Sequence, residues 1–303
     1  MRKLLNLTKR NCLVFLRDYS AVFFSLLSML IVLLLMGVFL ADMNTNSVTD
    51  LLKKYGGVRD ADQDLKNAKE LVEYWTLAGI LVVNSLTVTL TVLGTMISDV
   101  HEHRLESFFS APLSRSVIGL SYILSAVLIG TLFCLLTFGG AMLFIWAGGG
   151  TMLSLNAVLK ITGYVLMNVC IFSVILYLLA LFIKSSSAWS GIATIVGTLV
   201  GFVSAIYLPM GNLPDGVANL LKYFPILHGT SLMRRVCCED ILQKTFDGLP
   251  CEVLNSYQEY MGITVVMNDH VVSTSAQILF LAACGCAAFV FILIVSKKKT
   301  ISR

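Results

Sequence analysis

Residues 75–97 form an uninterrupted apolar run, WTLAGILVVNSLTVTLTVLGTMI, and residues 98–115 then turn abruptly polar, SDVHEHRLESFFSAPLSR. An apolar run of about 20 residues is long enough to cross the hydrocarbon core of a bilayer as a helix. The chain has five more such runs, and none of the six contains Asp, Glu, Lys, Arg or His. The other five are residues 19–41, 118–145, 161–183, 189–208 and 276–295. Lipid offers no hydrogen-bond partner to a free backbone, so all six are predicted to be helices.

The composition agrees with a membrane protein. Of the 303 residues, 57% are hydrophobic and 13% are charged, and the mean hydropathy is +0.83. A soluble domain usually has about 25% charged residues. The sequence therefore predicts an all-α integral membrane protein with a single transmembrane domain over residues 1–303. A net charge of +4, with no basic element along one exposed face, argues against nucleic-acid binding.

The distribution of basic residues predicts the orientation. If the N-terminus is cytoplasmic, the inside segments carry 12 Lys or Arg against 4 Asp or Glu, and the outside segments carry 10 against 14. Cytoplasmic loops of membrane proteins are enriched in Lys and Arg. Both termini are therefore predicted to be cytoplasmic, and residues 42–74 and 209–275 extracellular. Within the first of these outer segments, a helix is predicted near Asp64–Glu73.

The N-terminal residues 1–18 are predicted to form an amphipathic helix on the cytoplasmic leaflet. Lys3, Arg10 and Arg17 recur every seven residues and so share one helical face. Leu5, Cys12 and Leu16 share another face, as an interfacial helix requires. The alternative is a basic flank that only orients the first span.

No motif for catalysis appears in the chain. There is no GxxxxGK[ST] phosphate-binding loop, no HExxH and no GxSxG. His101 and His103 would face away from one another on a helix. The chain is therefore predicted to be no enzyme, with no metal site and no cofactor of its own.

The spans contain neutral polar residues instead of charges. An ion-coupled carrier usually buries a carboxylate or a histidine at membrane depth, so their absence argues against that class. The candidates for the wall of a translocation cavity are Asn84, Thr87, Thr91 and Asn168. The alternative for each is a hydrogen bond between helices.

Small residues in the fifth run, and cysteines beyond it, suggest two further contacts. Small side chains on one face allow close helix approach, either between two protomers or within one chain. The small residues, spaced by four, are Ala193, Gly197, Gly201 and Ala205. In the outer segment, Cys251 could form a disulfide with Cys237 or Cys238, or all three could stay free.

The polar loop at 98–116 is the most informative segment outside the spans. Leu105, Phe108 and Phe109 share one face at helical spacing, and Pro112 would end that helix before the third span. Three large apolar groups in an aqueous loop need a partner to cover them. The segment is predicted to dock a soluble subunit, or alternatively to lie on the membrane surface.

Two motifs give the chain a resemblance to a known family. Residues 106–115, ESFFSAPLSR, lead into Ser121-Tyr122, and a second pattern follows the fifth run. That second pattern consists of Tyr207-Leu-Pro209, Leu213-Pro214, Phe224-Pro225, His228 and Arg234. With the number of spans and the order of loops, these resemble the type-2 membrane subunits of bacterial ATP-binding-cassette (ABC) exporters over essentially the whole chain. His103-Arg104 stand where many members have Gly-Thr.

The resemblance implies a multi-pass protein of the bacterial plasma membrane that works as a dimer. Its partner membrane subunit would be a second copy or a paralogue, and two separate ATPase subunits would bind ATP and Mg. Residues 98–116 would be the coupling loop, and residues 209–235 a re-entrant outer gate. The coupling residues would be Glu102, Arg104, Leu105, Glu106, Phe108, Phe109, Pro112 and Arg115. The expected substrate is a drug or an antimicrobial peptide, and the alternative substrates are a lipid, a lipid-linked glycan or sodium. The alternative class of protein is an ion-coupled carrier.

Overall fold

The computed structural model describes residues 1–35, 41–57, 59–105, 114–268 and 270–301, and it is dominated by long helices. The first half contains α1 (Arg2–Arg17), α2 (Tyr19–Leu35), α3 (Ala41–Tyr55), α4 (Ala61–His101) and α5 (Arg115–Ala147). The second half contains α6 (Leu155–Ala180), α7 (Ser186–Val203), α8 (Asp215–Leu221), α9 (Pro225–Thr245), α10 (Cys251–Tyr260) and α11 (Thr274–Ile301). A 3₁₀ turn spans Met210–Asn212, and strands β1 (Val266–Met267) and β2 (His270–Val271) pair antiparallel between α10 and α11.

Helix α4 is the central element of the bundle. Its 41 residues would extend about 60 Å at 1.5 Å per residue, twice the roughly 30 Å hydrocarbon thickness. The Asp60 side chain caps its N-terminus by accepting hydrogen bonds from the Asp62 and Gln63 amides. It contacts α1, α2, α3, α5, α6, α7 and α9. The helix predicted near Asp64–Glu73 is confirmed as the N-terminal part of α4, continuous with the second predicted span.

Five helices of the described chain are long and apolar enough to cross a membrane. They are α4, α5, α6, α7 and the Thr274–Val295 part of α11. Helix α2 covers most of the first predicted span, whose residues 36–40 lie outside the described residues. An all-α membrane fold is therefore confirmed, while six spans remain a prediction. Helices α7 and α11 are peripheral, with 17% of their apolar segments buried against 78% for α4.

The fifth predicted span is shorter than its apolar run. Helix α7 ends at Val203, although the sequence stays apolar to Leu208. Ala205 has a left-handed φ of 52°, and the amides of Ile206 and Tyr207 both donate to the Gly201 carbonyl. The Tyr207 ring then folds onto Gly201, where a Cβ would overlap it. The chain leaves the helix because this local closure satisfies its last carbonyls.

The predicted outer segment 209–275 is largely helical and enters the bundle. Helix α9 packs against α4, α6 and α11, and its Gly229 lies against Asn168 near the middle of α6. The N-terminal end of α4 is joined to this segment by Arg59. Its guanidinium pairs with Asp64 and donates to the carbonyls of Asp247 (2.6 Å) and Thr245 (3.1 Å).

Helix α1 packs along α5 rather than standing apart from the bundle. Its buried side chains are Thr8, Asn11 and Phe15, and the Phe15 and Phe133 rings meet edge to face with centroids 6.0 Å apart. Leu5 remains 62% exposed on the opposite side. The interfacial position of α1 stays a prediction, but one member of its basic stripe is turned inward, as described next.

Candidate functional site: the junction of α1, α4 and α5

Asp99, two residues before the end of α4, is a buried carboxylate that joins three helices. Its residue is only 1% exposed. Arg10 of α1 donates hydrogen bonds to the Asp99 carboxylate from both terminal nitrogens. Its Nη2 lies 2.9 Å from Oδ1, and its Nη1 is bonded to Oδ2. From α5, the Tyr122 hydroxyl donates to Oδ2 at 2.6 Å. We call Arg10, Asp99 and Tyr122 the junction cluster.

The junction cluster is favourable because the buried charge is fully paired. Bidentate arginine–carboxylate contacts are among the strongest hydrogen bonds in proteins, whereas an unpaired buried carboxylate is very costly. The hydrogen bonds from Arg10 to Asp99 raise the pKa of the guanidinium above its ordinary value, although partial burial opposes the shift. Arg10 therefore stays charged at any physiological pH.

A second contact fixes the register between α1 and α5 beside the cluster. Asn11 donates from Nδ2 to the Ser121 hydroxyl at 3.1 Å, and its own Oδ1 accepts from Arg10 Nη1 at 3.1 Å. Arg10 and Tyr122 thus meet on the Asp99 carboxylate, while their chain neighbours Asn11 and Ser121 bond one another directly. Ser121 and Tyr122, which follow the sequence motif at 106–115, are the two partners on the α5 side.

The chain turns sharply where α4 leads into the predicted coupling loop. Glu102 closes the helix by donating its amide to the Ser98 carbonyl at 2.9 Å, and His103 has a left-handed φ of 56°. This turn folds Arg104 back towards the helix end. Its guanidinium pairs with Glu102 and lies 3.7 Å from the Asp99 carboxylate. The start of the loop is thereby attached to the junction cluster.

The predicted coupling residues are only partly within the described chain. Glu102, Arg104 and Leu105 follow α4, with Leu105 packed against the core and the other two side chains about half exposed. Arg115 is exposed at the first turn of α5. The remaining four, Glu106, Phe108, Phe109 and Pro112, lie outside the described residues, so the docking face stays a prediction.

The four predicted cavity residues do not line one cavity. Asn84 is buried and donates to the Thr137 hydroxyl of α5 at 3.0 Å, and Asn168 is buried against Gly229. Thr87 and Thr91 share a groove of about 180 Å³ between α4 and α2. The two asparagines therefore serve contacts between helices, and only the two threonines line an open space.

The small-residue face of α7 is also shorter than the sequence suggested. Ala193 and Gly197 are half-buried along the helix, but Gly201 is covered by Tyr207. Ala205 lies beyond the helix and is fully buried. A contact between protomers through all four residues is therefore wrong, because two of them already pack within the chain.

The predicted disulfide is absent from the structure. Cys237 and Cys238 are buried within α9, whereas Cys251 is exposed at the start of α10. All three are free thiols, and the alternative of a Cys251 disulfide is wrong. The described part of the chain also contains no group of three or more His, Cys, Asp or Glu side chains that could hold a metal ion.

Sequence reasoning missed Asp99 and the role of Arg10. The available signal was an acid directly after an apolar run, together with one arginine of a seven-residue repeat, but nothing local pairs residues 89 positions apart. It also missed how completely Arg234 is buried. That guanidinium donates to the Ala205 carbonyl at 2.7 Å and the Met261 carbonyl at 3.1 Å, and it stacks on the Trp75 ring at 4.1 Å.

Comparison with known families decides the class of the protein. The sequence profile of the family described as ABC-2 family transporter protein matches residues 43–297. The chain belongs to this ABC-2 family. No curated protein matches it significantly. Its membership of the ABC-2 family makes the chain a transmembrane subunit of an ABC transporter. Subunits of this family lack ATPase motifs and generally pair with an ATPase.

Proposed function

We propose that this ABC-2 protein is the membrane half of an exporter of the bacterial plasma membrane, driven by an ATPase on a separate chain. The working unit would contain two membrane subunits and two ATPase subunits that bind ATP and Mg. The second membrane subunit is an identical copy or a paralogue. The observation that carries the proposal is the junction cluster, because it attaches the predicted coupling loop to three helices at once.

The junction cluster suggests how a stroke at the loop would reach the spans. Closure of the ATPase pair would displace residues 98–116, with Phe108 and Phe109 seated on the ATPase. Arg104 and Asp99 tie the start of that loop to α1 and α5. A displacement would therefore move α1, α4 and α5 together rather than bend one helix. Since α4 also contacts α6, α7 and α9, the movement would extend through the bundle.

At the other end of α4, the segment 209–235 is suited to act as the outer gate. Helix α9 begins at Pro225 and places Gly229 directly against Asn168 of α6. Asn168 is 1% exposed, and its amide has no hydrogen-bond partner in the described chain. A contact held by close approach and not by hydrogen bonds can separate without breaking any. We infer that α9 moves away from α6 when substrate leaves.

The expected substrate is a drug or an antimicrobial peptide, with a lipid, a lipid-linked glycan or sodium as alternatives. One observation favours the ion-coupled carrier as the rival class. His228 of α9 is 3% exposed, and its ring lies tilted against Phe280 of α11 with centroids 4.7 Å apart. Its Nδ1 has no hydrogen-bond partner within the described chain. The predicted spans contain no charged residue or histidine, but the buried interior therefore does contain a titratable side chain. In an ion-coupled carrier, His228 would be the residue that changes protonation.

The first experiment is co-purification. The tagged full-length chain is extracted from its native membrane in mild detergent, and the eluate is tested for a second protein and for vanadate-sensitive ATP hydrolysis. We expect an ATPase in about equal amount. Replacement of Phe108 and Phe109 by alanine should remove it.

A matched control uses Leu143 and Phe144, two exposed apolar neighbours at the opposite end of α5. Their replacement by alanine should leave the ATPase bound. If no ATPase co-purifies, the exporter proposal fails, and a proton-driven assay of His228→Gln becomes the next test. If an ATPase binds but both double variants retain it, the coupling loop is not the docking site.

A further inference from the structure

A groove between α3 and α10 lies at the same end of the bundle as the start of α4, far from the junction cluster. Its volume is about 530 Å³, within the range of pockets that hold drug-sized ligands. Helix α3 contributes Ser47, Leu51 and Tyr55, which are spaced by four and so share one face. The groove is therefore built by two helix faces that meet, and not by a loop.

The face that α10 presents combines aromatic rings with a carboxylate. Tyr257 and Tyr260 line the groove together with Glu252, and Tyr55 faces them from α3. Helix α10 carries Glu252 and Glu259 and has no Lys or Arg. Aromatic faces attract cations through their negative quadrupole, and a carboxylate beside them adds a full charge of the same sign. This set of groups selects a cation that is also apolar.

Two further observations concern the tyrosines that line this groove. The Lys54 ammonium already lies over the Tyr55 ring, 5.1 Å from its centroid, so this tyrosine is presented to a positive charge within the protein itself. In addition, Tyr257 is 4% exposed and its hydroxyl has no hydrogen-bond partner in the described chain. The Tyr257 ring packs against Phe246 with centroids 4.9 Å apart, so this lining residue of the groove is held in place by the fold.

We propose that this groove binds an amphipathic organic monocation. The rings of Tyr55, Tyr257 and Tyr260 would enclose its apolar body, and Glu252 would neutralise its charge. The site goes beyond the proposed export function, since binding here requires neither the ATPase nor ATP. In the predicted orientation, the groove faces the outside and would hold a cation that arrives at or leaves the outer surface.

The test compares two ions of one shape and opposite charge, tetraphenylphosphonium and tetraphenylborate. The full-length chain is placed in lipid nanodiscs without ATP, and binding is measured by equilibrium dialysis, with empty nanodiscs subtracted. We expect saturable binding of tetraphenylphosphonium. Glu252→Gln should weaken it about threefold, and Tyr55→Leu by a similar factor. Lys54→Gln should strengthen it about twofold, because it removes a competing cation.

The control variant is Glu239→Gln, an exposed carboxylate of α9 that lines a different cavity. It lowers the negative charge of the chain equally and should leave binding unchanged. Equal weakening by Glu239→Gln and Glu252→Gln would overturn the site in favour of a diffuse field. The cation assignment would be overturned if Glu252→Gln lost the binding of both tetraphenylphosphonium and tetraphenylborate. It would also be overturned if the chain showed no saturable binding above that of empty nanodiscs. Neither result bears on the ATPase partner, which co-purification tests separately.

Discussion

Replacement of Asp99 by asparagine tests the junction cluster most directly. The substitution keeps the shape of the side chain and removes its charge. Arg10 then loses its charged partner, while the Tyr122 hydroxyl can still donate to the amide oxygen. Hydrogen bonds to charged groups contribute about 1.5–3 kcal/mol each, and breaking a buried ion pair costs about 3–5 kcal/mol.

The expected loss of stability is smaller than these values because the ion pair between Arg10 and Asp99 is not fully buried. The Arg10 side chain is 29% exposed, so water screens part of its charge, and Arg104 lies near the same carboxylate. We expect Asp99→Asn to lower the free energy of unfolding by about 2–4 kcal/mol. Arg10→Gln should lower it by a similar amount, because it leaves the 2%-exposed carboxylate of Asp99 without its main partner.

The assay is reversible unfolding of the purified full-length chain in mixed micelles, applied to Asp99→Asn, Arg10→Gln and the double variant. If the two residues act as a pair, the double variant loses less than the sum of the single losses, by about 1.5 kcal/mol or more. Glu102→Gln is the control, since its half-exposed pair with Arg104 should contribute less than about 1 kcal/mol.

Additive losses within about 0.5 kcal/mol would refute the pair. So would a loss in Asp99→Asn no greater than that in Glu102→Gln. A functional readout should follow stability in one respect: if the cluster transmits the stroke, Asp99→Asn should retain ATPase binding while transport per ATP hydrolysed falls. Loss of ATPase binding together with transport would mean that the cluster only supports the fold of the loop.

Three further predictions concern the opposite end of the bundle. Gly229→Ala should destabilise the chain by about 1–3 kcal/mol in thermal unfolding, because the new methyl group overlaps Asn168, and Asn168→Ala in the same chain should restore most of the loss. Arg234→Lys should lower the free energy of unfolding by about 2–4 kcal/mol, because a lysine ammonium cannot reach the carbonyls of Ala205 and Met261 at the same time as the two guanidinium nitrogens do. An unchanged free energy of unfolding would contradict this role of the guanidinium. In intact cells, a membrane-impermeant maleimide should label exposed Cys251 but spare buried Cys237, and labelling only after permeabilisation would invert the predicted orientation.

The positions of the spans could be predicted from the sequence because the constraint is local. Any run of about 20 residues without a charge must satisfy its own backbone in lipid, whatever surrounds it. The helix predicted near Asp64–Glu73 is also present, as part of α4. The coupling loop at 98–116 was predicted from the family resemblance and stays a prediction, as does its docking face, because four of its key residues lie outside the described chain.

Patterns of apolarity and spacing failed where side-chain packing decides the outcome. Apolarity continues to Leu208, yet α7 ends at Val203 because Tyr207 folds onto Gly201. The four-residue spacing through Ala205 assumed a helix that this closure interrupts. Cys237 and Cys238 looked like loop cysteines, but α9 carries them into the interior, away from Cys251.

The sequence alone therefore determined that this is an all-α protein that lies in lipid, and it determined most of its helices. These properties depend on composition and on whether each segment is apolar enough to lie in lipid. Only the tertiary structure determined that Asp99 pairs with Arg10, that Arg234 is enclosed without a carboxylate among the described residues, and that tyrosines of α3 and α10 share a groove. Each of these contacts joins residues far apart in the chain. Their energies arise from burial and geometry, which the spacing of residues along a sequence does not encode.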